Sequence, residues 1–149
     1  MKLLPIYKWI AGGMPDFTRQ FQDNENLFKQ AQSFWNKLES VSIWILLIFI
    51  VLSILLVVIY YQPYNNTAGR HYKPTHWAVF LLLTFIGTFG VTWLFEYIAV
   101  APKLPGALLL EMKIALCNAI YASVLYCVLS LLWCLFLPTN AYRLIKKIS

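Results

Sequence analysis

Charge is scarce in this sequence and unevenly placed. Asp, Glu, Lys and Arg make up 12% of the 149 residues, against about 25% in soluble domains. Ser42–Tyr61, Trp77–Phe95 and Ile114–Leu137 contain none. Apolar side chains reach 60%, above the roughly 45–50% of soluble chains. A water-soluble chain this small has too much surface for its volume to hide them. A hydrocarbon solvent removes that difficulty.

Signatures of chemistry are also missing. There is no Gly-rich phosphate loop, no H-E-x-x-H and no G-x-S-x-G. No two carboxylates share a polar setting as general acid and base. The long apolar runs carry no ionisable group near their midpoints, where proton-coupled transport places them. Three runs cannot form two matched halves of an inverted repeat. The sequence therefore predicts neither an autonomous enzyme nor a secondary transporter, and no cofactor. His71 and His76 lack a third ligand, so no metal site is expected. The twelve basic residues are spread over the polar segments and form no stripe, which argues against nucleic acid as a partner.

Cysteine is sparse too. Cys117, Cys127 and Cys134 all fall in the last apolar run. An odd number there argues against a disulfide framework and suits small packing residues. Leu3–Ile10 is short for a signal-peptide core, contains Lys8 and has no cleavage pattern, so the first apolar run is expected to act as its own insertion signal.

What is present is long and oily. The expected spans are 42–61, 77–100 and 114–137. Twenty helical residues at about 1.5 Å each cover the roughly 30 Å hydrocarbon core. Trp44, Tyr60 and Tyr61 lie at the ends of the first, as an aromatic belt requires. None of these runs alternates as a barrel strand does, and backbone groups in lipid must be paired internally. The fold class is an all-α membrane protein with three transmembrane helices in residues 42–137, preceded by residues 1–41 and followed by a basic tail, 138–149.

Residues 1–16 read either as a tail or as a piece lying at the headgroup boundary. Residues 17–41 read as an amphipathic helix. Phe21, Phe28, Ala31, Trp35 and Leu38 share one face, Asn24 interrupts it, and Asp16 is the expected N-cap. That apolar face needs cover from lipid headgroups, from the chain's own spans or from a partner. Pro105 suits the first turn of the third span.

Three crossings put residues 1–41 and the 101–113 connection on one side. The 62–76 loop and the C-terminal tail take the other. Close to the membrane, Lys29, Lys37, Lys103 and Lys113 on the first side stand against Arg70, Lys73, Arg143, Lys146 and Lys147 on the second, four against five. Under the positive-inside rule this difference of one charge favours a cytoplasmic C-terminus, with a cytoplasmic N-terminus as the alternative, in a bacterial inner membrane or an organelle membrane. Asn65-Asn66-Thr67 fits the N-glycosylation pattern, which matters only in a lumenal loop of a eukaryote.

The third span carries a ridge of small residues: Ala115, Ala119, Ser123, Cys127, Ser130 and Cys134. Thr84, Gly87, Thr88 and Val91 give the second span a related face. Small side chains let helices approach closely in lipid, and Asn118 suits a hydrogen bond between helices. Glu96 is the one acidic residue within an expected span. Near its end, it can snorkel or pair with Lys103 or Lys113, and Glu111 is interfacial as well. These features predict a non-catalytic membrane subunit that packs against lipids and against other membrane subunits or copies of itself. The competing reading is a homo-oligomeric channel or membrane-perturbing effector, with Ser123, Ser130, Thr84 and Thr88 lining a pore. A third reading is a membrane-bound enzyme subunit using Glu96, Glu111 and His71.

Overall fold

The computed structural model describes residues 4–66, 73–100, 104–137, 139 and 141. Arg70, His71, Lys103, Arg143, Lys146, Lys147 and Thr67 of the sequon lie outside them. The described residues are almost all helical and include no strand.

The N-terminal part is a series of short turns. A 3-10 turn, Leu4–Tyr7, runs into α1 (Lys8–Ala11), then α2 (Met14–Thr18) and a second 3-10 turn, Arg19–Phe21. Gly12 and Gly13 separate α1 from α2. Gly12 has φ of 79°, a left-handed conformation that glycine adopts without strain. Asp16 is not an N-cap. It is the third residue of α2, and its carboxylate accepts from the Gly13 N–H at 2.8 Å. This is the reaching-back half of a capping box.

The amphipathic stretch is likewise not one helix from residue 17. The chain breaks at Gln22–Asn24, and α3 spans Glu25–Ile59. Asn24, which interrupts the apolar stripe in the sequence, is the cap. Its Oδ1 accepts from the amides of Asn26 at 3.1 Å and Leu27 at 3.2 Å, satisfying donors that a helix start leaves open. From there α3 runs without interruption through Glu39–Ser42 into the first apolar run. It ends in a wide π turn, Tyr60–Tyr64. Pro63 has no N–H to continue the regular ladder, and the Asn65 side-chain amide donates to the Tyr60 carbonyl.

The helix α4 covers Pro74–Ala99, with proline at its first position, where a missing N–H is harmless. Pro105 sits in the turn ahead of α5 (Ala107–Phe136), not in its first helical turn. Gly106 makes that turn with φ of 83°. Glu25–Tyr64, Pro74–Ala99 and Ala107–Phe136 are each long and apolar enough to cross a membrane. Even the shortest, at 26 residues, reaches about 39 Å.

By their internal contacts the residues form two compact units: Met1–Ile48 with Phe89–Asn118, and Phe49–Thr88 with Ala119–Ser149. In the first unit α3 finds cover for its amphipathic face within the chain. Ala31, Phe34, Trp35 and Leu38 are buried, and Phe17 packs on Phe21, Phe34 and Trp35 with ring centroids 5.6, 5.7 and 6.2 Å apart. Phe28 is only half-buried. In the second unit the core is aromatic: Tyr60, Tyr61, Phe80 and Tyr126 with Val57 and Cys134.

Besides their apolar core, the long helices expose large apolar side chains and bury small polar ones. Leu47, Val51, Ile54, Leu82, Ile86, Leu94, Val124, Leu132 and Phe136 are exposed, while Ser42, Ser53, Thr84, Thr88, Thr92, Asn118 and Ser130 are buried. Exposed aliphatic side chains on this scale suit an apolar surrounding.

Candidate functional site

In the first unit, the strongest polar constellation centres on Asn118. Its Nδ2 donates to the Ile45 carbonyl at 2.9 Å and to Thr92 Oγ1 at 2.8 Å. Its Oδ1 accepts from the Tyr7 hydroxyl at 2.9 Å. Both amide hydrogens are used, and one acceptor position is filled. Tyr7, Ile45, Thr92 and Asn118 are all wholly buried. One side chain therefore joins the N-terminal turn, α3, α4 and α5. Cys117, its neighbour, lies with its thiol 3.9 Å from the Tyr7 carbonyl oxygen.

Tyr7 does not belong to a loose tail, which leaves its side chains in water: its phenol is buried among three helices. The apolar-aromatic composition of the segment was visible in the sequence, but nothing local marks Tyr7 over Trp9. Trp9 is 60% exposed, whereas Tyr7 is wholly buried.

Glu96 and Glu111 are both buried in this unit. Neither snorkels to open solvent. Lys113 is half-buried and lines a cleft of about 210 Å³ with Asp16, Gln20 and Gly106.

The row of polar residues on α4 is longer than the pair read from sequence. Thr84, Thr88, Thr92 and Glu96 recur every fourth residue, and all are wholly buried. Thr92 was missed, although the T-x-x-x-T-x-x-x-T-x-x-x-E spacing marks it. Four residues advance a helix about 40° beyond a full turn, so the buried side of α4 turns along its length. Thr84 bonds back to the Phe80 carbonyl at 2.8 Å. Among the described residues nothing packs on Gly87: a Cβ there meets no atom within 4 Å.

The ridge on α5 is displaced for the same geometric reason. Ala115, Ala119, Ser130 and Cys134 are buried, but Ser123 and Cys127 are only half-buried. Counting by fours from Ala115 drifts about 120° by Cys127. Ala122 and Tyr126 take the inner positions. The Ser123 hydroxyl turns back to the Ala119 carbonyl at 2.9 Å.

The second unit holds its own polar contacts. Ser53 Oγ lies 2.6 Å from the Phe49 carbonyl of its own helix and 3.0 Å from the Ala122 carbonyl of α5. Trp77 Nε1 donates to Ser130 Oγ at 3.3 Å. The Tyr61 hydroxyl is 3.5 Å from Cys134 Sγ, and Trp133 stacks on the Tyr61 ring at 5.3 Å. The three cysteines are free thiols. No group of three or more His, Cys, Asp or Glu among the described residues has metal-binding geometry. These contacts join helices; none pairs a nucleophile with a base.

Comparison with protein-family models, with curated proteins and with solved structures finds no match. The functional reading therefore rests on the geometry alone.

Proposed function

We propose that this chain is an integral membrane protein whose three long helices each cross the bilayer, and that it acts as a non-catalytic subunit of a larger membrane assembly. The carrying observation is the placement of polarity. Thr84, Thr88, Asn118 and Ser130, the side chains suited to line a pore or to join helices, are buried inside one chain. The outer faces of the helices are aliphatic instead. Such a surface associates by shape with lipid or with another apolar helix and brings no reactive group to a substrate.

The channel reading needs Thr84, Thr88, Ser123 and Ser130 to face water. Ser123 is half-buried, and the other three have a relative exposure of 0%. The charge count of the flanking segments supports a cytoplasmic C-terminus.

The test is purification of the tagged full chain from membranes in mild detergent, followed by mass measurement and identification of whatever accompanies it. The subunit reading expects a fixed ratio of at least one other membrane protein. A lone monomer removes it. A closed ring made only of this chain transfers support to the channel.

A further inference from the structure

We infer that residues 4–11 form a plug that leaves its seat by turning about Gly12–Gly13, opening a path from the aqueous side to Asn118, Thr92 and Cys117. The inference is independent of whether the chain joins an assembly.

The segment is held in an unusual way. Among Pro5–Ala11 only Tyr7 is buried, while Ile6 is 40% and Trp9 60% exposed. The four-residue α1 buries no side chain. Two clefts border the segment: about 210 Å³ against Ile10 and Ala11, and about 190 Å³ against Pro5 and Lys8. Beyond the glycines, the chain is anchored by Phe17 and Phe21, which are buried in the aromatic cluster on α3. A short element that buries a single side chain, beside clefts and ahead of a glycine pair, belongs to the low-stability end of a structure. What it covers is polar. The Tyr7 phenol donates to the Asn118 amide oxygen, and the Tyr7 carbonyl lies against the Cys117 thiol. Withdrawal leaves both open to a small solute, and water can then replace the lost hydrogen bonds.

Cys117 is a built-in reporter. Cys117 and Cys134 have relative exposures of 0% and 3%, so static burial gives both the same protection. The full-length protein in detergent is treated with a small charged thiol reagent, and labelling is located by peptide mass spectrometry. In the wild type Cys117 reacts sooner than Cys134. Tyr7→Ala raises the Cys117 rate by about tenfold, and Tyr7→Phe, which keeps the ring but loses the hydroxyl, by less. The Cys134 rate stays unchanged in both. Equal rates at the two thiols in the wild type overturn the plug. A rise at Cys134 in step with Cys117 also overturns it, since the whole structure then loosens rather than one segment.

Discussion

The side-chain nitrogen of Asn118 donates to the carbonyl oxygen of Ile45 across 2.9 Å, and this bond fixes which way the amide points. A main-chain carbonyl can only accept, so Nδ2 must face α3 and Oδ1 must face Tyr7. The Tyr7 hydroxyl is therefore the donor in its own bond. A side chain in the third apolar run thus orients a residue near the beginning of the chain.

Replacing Asn118 tests how much that junction holds. Asn118→Leu removes three hydrogen bonds and leaves the buried Tyr7 hydroxyl facing an apolar group. Stability should fall by about 1–3 kcal/mol. Thr92→Val removes one of those bonds, and about 0.6–1.7 kcal/mol is expected. Denaturation in mixed micelles measures both. Equal stability of Asn118→Leu and the wild type would show that the bonds are matched by others in the unfolded, lipid-solvated chain.

Ala122 and Gly87 should respond in opposite ways to added volume. Ala122 is wholly buried, with its carbonyl beside Ser53 Oγ. Ala122→Leu overpacks the contact between α3 and α5 and should cost about 1–3 kcal/mol. A Cβ at Gly87 meets open space, so Gly87→Ala should raise stability by about 0.5–1 kcal/mol through helix preference. If Gly87→Ala destabilises, a partner occupies that face.

Much of the fold was legible because charge is excluded from three long runs, and each run lies in a helix long and apolar enough to cross a membrane. The face of each helix was less so. Cys127 and Ser123 share a four-residue spacing with Ala115, yet a helix turns every 3.6 residues or so, and Ala122 and Tyr126 take the inner side. Thr92 could have been found from Thr84 and Thr88 by extending their spacing. Tyr7 could not, since its partner lies on a distant helix and no local pattern points there. Asn24 was visible as an interruption of the stripe, and its cap role needed only the polar-to-helix transition to be weighed above periodicity.

The N-terminal cluster gives a separate prediction. Phe17 touches Phe21, Phe34 and Trp35, so Phe17→Ala should weaken the cover of α3 by about 3–5 kcal/mol. Asn24→Ala should cost about 1 kcal/mol through the lost cap. Limited proteolysis should cut the Phe17 variant between residues 14 and 30 before any site within α4 or α5. Unchanged resistance would mean that the cluster adds little to holding the segment in place.

The most direct measurement is the sidedness of three introduced cysteines in sealed vesicles, probed with a reagent that cannot cross lipid. Asn26→Cys precedes the first apolar run, Asn66→Cys follows it, and Pro105→Cys lies between α4 and α5. Three crossings predict that Asn26 and Pro105 label from one face of the vesicle and Asn66 from the other. Labelling of all three from the same face, or release of the chain from the membrane by alkaline carbonate, would contradict the three crossings.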